Sequence, residues 1–285
     1  MPWKDTVNAA LRRTTGLQLT RVRERAAAAP TERPRTRPGD RLLEQPAFIF
    51  SSVRSGSTLL RVLLDSHSLL HSPHELHLRD LAVRVKTNPA RKAMDELSLD
   101  ERTLEYLLWD RMLHRELTSR GKRFLVNKTP TDVFIAERIC ECWPDARFIF
   151  LLRHPASIAR SRADARPQDT LEQNIAMVRK YADALERARQ AFPGLVVRYE
   201  DLTADPEAEL RRICEHLDVP FEPAMLDYDR FDHGRYKVGL GDWTDKIRSG
   251  KIQAAEPAPV DVPEQLRTIC EAWGYDAGQA PARSA

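Results

Sequence analysis

A chain of 285 residues, 42% hydrophobic and 31% charged, can bury the core of one large α/β domain and barely those of two small ones. A formal charge of +3 gives no whole-chain field of the kind that gathers nucleic acid, and no apolar run reaches the roughly 18 residues of a membrane-spanning helix. The N-terminus lacks the apolar stretch of a secretory signal. The four cysteines, Cys140, Cys142, Cys214 and Cys270, match no zinc or redox spacing and read as reduced thiols of a cytoplasmic protein.

Residues 3–25 read as an arginine-rich amphipathic helix, with Val7, Leu11 and Val22 on one side and Arg12, Arg13, Arg21 and Arg25 elsewhere. Its thin apolar face suits a solvated surface helix, with contact to a membrane surface or a partner as the alternative. Residues 26–41 form a proline- and arginine-rich linker with nothing to bury. The division is therefore a helix and linker over 1–41 and a folded domain over 42–285.

Within that domain Ala47–Phe50 is a short continuous apolar run, the mark of a strand buried on both faces. A polar turn over Ser51–Ser57 leads into a helix from Thr58 to Ser66, where Leu59, Leu60, Leu63 and Leu64 fall at helical spacing. A helix over 100–119, a strand at Phe124–Val126 and a helix over Asp132–Cys142 follow. Arg147–Leu152 is the clearest strand; helices start at Pro155 and span 169–191; Leu195–Tyr199 is a fourth strand, before a helix over 206–217. Trp109, Trp143 and Trp273 sit in apolar patterns and read as core. Strands alternating with helices predict a single α/β domain with a central parallel sheet, P-loop-like, binding its ligands at the carboxyl ends of the strands.

Two motifs lie at that edge. In Ser51-Ser52-Val53-Arg54-Ser55-Gly56-Ser57-Thr58 a tight turn of small residues points backbone N–H groups inward, and the following helix adds its positive end. Hydroxyls of Ser55, Ser57 and Thr58 and the cation of Arg54 complete an anion cradle; a plain capped helix is the alternative. The lysine and upstream glycine of a P-loop nucleotide triphosphatase are missing. The second motif is Leu151-Leu152-Arg153-His154-Pro155 with Ser161 two helical turns on, suited to a second phosphate. His67, His71, His74 and His77 suggest a metal only superficially, since Pro73 interrupts any common helical face, and they read as partly exposed neighbours of the site.

Arg-Ser-Gly-Ser-Thr after a first strand, followed by a strand, Arg153 and Ser161, resembles the sulfotransferase superfamily, closest to its tyrosylprotein sulfotransferase-like branch and bacterial relatives. Val126-Asn127-Lys128-Thr129-Pro130 resembles the segment carrying that family's catalytic lysine. Val197–Leu202 resembles its Tyr-Glu-Asp segment, and Gly241–Ile247, with Trp243, its nucleotide-covering loop. The likeness spans roughly 46–252; Ser57 stands where threonine is more usual, and 80–122 and 222–240 match nothing assignable. The resemblance implies 3′-phosphoadenosine 5′-phosphosulfate as donor, no metal, and a hydroxyl acceptor of undetermined class. It places Arg54, Ser55, Gly56, Ser57 and Thr58 at the 5′-phosphosulfate, and Arg153 and Ser161 at the 3′-phosphate. Tyr199 and Lys246 complete the nucleotide site. Catalysis would fall to Glu75 as general base with Arg54 and Lys128 as charge stabilisers. Glu75 is expected close to Arg54, which keeps it ionised, with His71, His74 and His77 as rival bases. Two other classes compete. A phosphotransferase would need magnesium-binding carboxylates that the strand ends do not supply, and a silent nucleotide-binding module would be expected to lack Glu75 or Lys128.

Overall fold

The computed structural model describes residues 39–233 and 245–276. The expected helix over 3–25 and nearly all of the linker lie outside these residues. Five strands form one sheet in the order β2-β3-β1-β4-β5: β1 (Ala47–Ser51), β2 (Leu70–His71), β3 (Phe124–Lys128), β4 (Arg147–Leu152) and β5 (Leu195–Arg198). Every pairing is parallel, with Phe48 opposite Phe148 and Ile49 opposite both Ile149 and Lys128. The central strand β1 is buried at all five positions, as its unbroken apolar run requires.

Side-chain alternation splits the core into two layers. One face is aromatic: Phe48, Phe50, Phe148 and Phe150 pack with Trp143 and Trp109. It is covered by α3 (Glu101–Ser119), α4 (Ala136–Cys142), α5 (Pro155–Ala165), α6 (Leu171–Ala191) and α10 (Glu264–Ala272). The other face is aliphatic, with Ala47, Ile49, Val126, Ile149, Leu151 and Val197 under α1 (Ser57–Asp65) and α8 (Pro206–His216). The tryptophans expected in the core are there: Trp109, Trp143 and Trp273 are all buried.

Several elements depart from the sequence reading, which did not anticipate β2 or α10. The stretch expected as one helix over 132–142 begins as a 3₁₀ turn at Pro130–Ile135 and becomes α-helical only from Ala136. The fourth strand stops at Arg198, and Tyr199 opens a short helix, α7 (Tyr199–Ala204). Helix α2 (Asn88–Glu96) was not anticipated: Thr87 caps it by accepting the Ala90 N–H, yet it buries no residue and so shows no apolar stripe. The remaining short helix is α9 (Asp245–Arg248). Among the described residues no helix is long and apolar enough to cross a membrane.

Candidate active site

The turn between β1 and α1 reverses backbone handedness twice. Arg54 has φ 64° and Gly56 has φ 83°. Only glycine fits at 56: a Cβ there would stand 2.2 Å from Cδ2 of Tyr199, whose ring lies against the turn. The turn hands over to α1, whose first residues, Ser57 and Thr58, are buried at its positive end. Among the described residues, the buried hydroxyls of Ser51, Ser52 and Ser55 have no hydrogen-bond partner in the protein. Buried polar atoms are rarely left so, and a cluster of them along one turn marks a place where a polar ligand supplies the bonds. Ser51 and Ser52 were missed in the sequence reading because they sit at the strand end rather than on the helix.

The second motif is bonded directly to the first. Arg153 Nη1 donates to the carbonyl of Arg54 at 2.8 Å, and Arg54 Nε donates to Ser161 Oγ at 3.2 Å. The Arg153 guanidinium lies 4.5 Å from the centre of the Tyr199 ring. Burial lowers the pKa of Arg153, against the pull of Tyr199 and Glu200. Glu200 fixes the strand end behind it, accepting the His154 N–H at 3.0 Å and the Tyr275 hydroxyl at 2.7 Å. Arg54, Gly56, Arg153, Ser161 and Tyr199 therefore form one constellation. Lys246 is on α9, but its side chain, like residues 241–244 of the expected covering loop with Trp243 among them, lies outside the described residues.

One strand over, level with Ile49, Lys128 ends β3. Lys128 is 1% exposed, and its Nζ donates to Glu75 Oε1 at 2.5 Å. His77 Nε2 is 3.7 Å from the other carboxylate oxygen. Glu75 is thus ion-paired with Lys128, which the sequence reading had not paired with it, while the Nε of Arg54 is turned toward Ser161. The hydroxyl of Thr129 accepts the N–H groups of Leu76 at 3.0 Å and His77 at 3.4 Å. Beyond it Asn127 donates to Asp132 at 2.9 Å, and burial pushes the Asp132 carboxyl up to about 7.

The histidines divide. His74 is exposed and His77 half-buried, but His67 and His71 are buried, against expectation. His67 receives the Leu69 N–H on Nδ1 at 2.9 Å and faces the carbonyl of Pro220 through Nε2 at 2.7 Å, as a neutral ring protonated on Nε2 would. His71 bridges Asp65 and Glu116, each at 3.0 Å, and His233 meets the other oxygen of Asp65 at 2.8 Å. Burial alone would raise the Asp65 pKa; hydrogen bonds from His233, His71 and the Ser72 N–H outweigh it and hold the carboxylate far below its usual range. These rings brace the far end of α1. No group of three or more His, Cys, Asp or Glu converges on a common metal position among the described residues.

A parallel sheet with a hydroxyl-rich strand-to-helix turn after its central strand, and with Lys128 of the neighbouring strand paired to Glu75, is a P-loop-like α/β architecture. The Sulfotransferase family profile matches residues 46–223, well over half of the chain. The chain belongs to the sulfotransferase family. The protein-tyrosine sulfotransferase of Drosophila melanogaster is 24% identical over 238 residues, which cover 76% of this chain and 46% of that protein. The omega-hydroxy-beta-dihydromenaquinone-9 sulfotransferase of Mycobacterium bovis is 29% identical over 195 residues, covering 60% of this chain and 47% of its own length. The chain thus spans about half the length of these relatives. The sulfotransferase domain from the Synechococcus PCC 7002 olefin synthase superposes with a TM-score of 0.60 at 26% identity, over 85% of this chain and 98% of that domain.

Proposed function

We propose that the protein transfers a sulfuryl group from 3′-phosphoadenosine 5′-phosphosulfate to a hydroxyl acceptor, without a metal ion. One observation carries this reading: Arg153 to Arg54 and Arg54 to Ser161 bind the two motifs, far apart in sequence, into a single site for a ligand with two anionic groups. The serines of the turn and the first turn of α1 suit the 5′-phosphosulfate. Arg153 and Ser161 suit the 3′-phosphate, with Tyr199 and Lys246 completing the nucleotide site. The relatives' names mention a protein tyrosine and an omega-hydroxy dihydromenaquinone, both hydroxyl bearers; the same chemistry is proposed here, whichever acceptor the protein takes.

The donor supplies an activated sulfuryl group; the chain supplies position and charge. Glu75 takes the acceptor's proton as the acceptor oxygen bonds to sulfur. The bond from sulfur to the bridging phosphate oxygen breaks, and Lys128 offsets the charge gathering on that oxygen. Arg54 neutralises the sulfuryl oxygens. The ion pair from the buried Lys128 holds the carboxylate of the half-buried Glu75 in place for this step.

Two measurements test the reading. By calorimetry, adenosine 3′,5′-bisphosphate should outbind adenosine 5′-monophosphate by about 1.5–3 kcal/mol, the worth of a charge-assisted contact; equal affinities would remove the second phosphate site. With sulfur-labelled donor and a panel of 4-nitrophenol, a hexose and a tyrosine-containing peptide, the Glu75→Gln variant should lose about 10²–10⁴ in rate at unchanged nucleotide affinity. A fully active Gln variant would move the base elsewhere.

A further inference from the structure

We infer that Thr129 is a positioning residue of the sulfuryl-transfer site, locking the Glu75 carboxylate onto Lys128 through the backbone that immediately follows the base. The inference rests on the reading of Glu75 and Lys128 just given, and adds a residue that the chemistry itself does not call for.

Two rungs join the same two segments. Lys128 and Thr129 are consecutive at the end of β3, and Glu75 and Leu76 are consecutive on the segment facing it. The first rung is the ion pair from Lys128 Nζ to Glu75 Oε1, 2.5 Å long. The second is the Thr129 hydroxyl, which accepts the Leu76 N–H at 3.0 Å and the His77 N–H at 3.4 Å. A single ion pair between two side chains with several rotatable bonds fixes a distance but not a direction. Anchoring the peptide immediately after Glu75 removes the remaining freedom of its Cα and so aims the carboxylate.

The anchored peptides lead directly into a constrained turn: His77 has φ 50°, a left-handed conformation uncommon for a residue with a Cβ, and it heads the 3₁₀ turn at Leu78–Asp80. Thr129 is 1% exposed, so water is not at hand to replace its oxygen. Nor does the hydroxyl serve the backbone it belongs to: Thr129 precedes the 3₁₀ turn at Pro130–Ile135 without capping it through its side chain. A threonine before a helical turn ordinarily spends its oxygen there; this one reaches across to the base instead.

The test uses the whole chain, sulfur-labelled 3′-phosphoadenosine 5′-phosphosulfate and whichever of 4-nitrophenol, the hexose or the tyrosine peptide is turned over fastest. Thr129→Val keeps the shape and removes the acceptor; Thr129→Ser keeps the acceptor. Val should lower kcat about 10- to 100-fold, the effect of displacing a reacting group by about 1 Å, with the KM for donor unchanged. Ser should restore most of the loss. In a Glu75→Gln background the same Val substitution should cost nothing more, because there is no base left to aim. Wild-type kcat in the Val variant, no rescue by Ser, or an undiminished Val penalty on top of Glu75→Gln would each overturn the inference while leaving the functional reading intact. A wild-type chain that turns over none of the three acceptors would sink both. Should Val unfold the protein, Thr129→Ala at reduced temperature, read by the same split between kcat and KM, decides the matter.

Discussion

Replacing Gly56 by alanine is the sharpest single perturbation of the proposed nucleotide site. The added Cβ would meet Cδ2 and Cε2 of Tyr199 at 2.2 and 2.3 Å, and the φ of 83° is one that alanine resists. The backbone penalty is about 1–2 kcal/mol, and the forced repacking adds about 1–3 kcal/mol. If the turn holds, the Tyr199 ring must leave, and its stacking with Arg153 goes with it. If the ring holds, the turn that carries Ser55 must shift. Either way adenosine 3′,5′-bisphosphate binds more weakly, and urea unfolding should show a loss of about 2–5 kcal/mol. A second substitution separates the contributions. In the Gly56→Ala, Tyr199→Ala double variant the collision is gone but the backbone penalty stays, so the two losses should fall short of additive by the repacking share. Strictly additive losses, or a Gly56→Ala variant within 0.5 kcal/mol of wild type and with unaltered nucleotide affinity, would refute this account of the turn.

Two further predictions concern buried carboxylates. Asp65→Asn leaves His71 and His233 facing an uncharged partner in a buried site and should cost about 3–5 kcal/mol in urea unfolding. Because folding depresses the Asp65 pKa, its stabilisation is complete above the unfolded value of 3.8 and fades as pH falls below it, so the variant's acid unfolding curve should be flatter there. Asp132 has the opposite sign. Its folded pKa of about 7 lies above the unfolded 3.8, so the folded state holds the extra proton and stability declines as pH climbs from one value to the other. The decline is on the order of 4 kcal/mol; Asp132→Asn should abolish it, and unfolding midpoints at pH 5 and pH 8 that keep the wild-type difference would count against the assignment.

What could be read from the chain follows from how each element is stabilised. Strands β1, β3 and β4 are buried on both faces and β5, a half-buried edge strand, still reads as an apolar run, so their order along the chain and the parallel sheet were legible. Leu70–His71 is a two-residue edge strand with no period to detect. Helix α2 carried a legible cap, Thr87 with Pro89, but without a buried face the signal had nothing to join. The cradle was legible because its chemistry is local, a turn of small hydroxyls before a helix. The partner of Glu75 was not: the ion pair to Lys128 spans 53 positions and depends on β2, from which the chain runs on to Glu75, lying beside β3. The bracing of Asp65 by His71 and His233 was illegible for the same reason, since His233 comes 168 positions later.

The two phosphate motifs are coupled by more than proximity. Arg54 holds a left-handed φ of 64° with a full side chain, which costs on the order of 1–3 kcal/mol unless its neighbours over-determine it. They do: its carbonyl is taken by Arg153 and its Nε by Ser161, so both ends of the strained residue are fixed by the second motif. In the proposed site Arg153 is consequently a strut for the 5′ cradle as well as a cation for the 3′-phosphate. The same guanidinium lies over the ring of Tyr199, which in turn covers Gly56, the other left-handed residue of the turn. The cradle therefore cannot relax without disturbing the second phosphate site. On the proposed function, a nucleotide lacking the 3′-phosphate should forfeit a direct contact and also leave Arg153 free to withdraw from Arg54, loosening the turn proposed to hold the sulfuryl donor in line. On that reading the 3′-phosphate, remote from the transferred group, contributes to the geometry at sulfur.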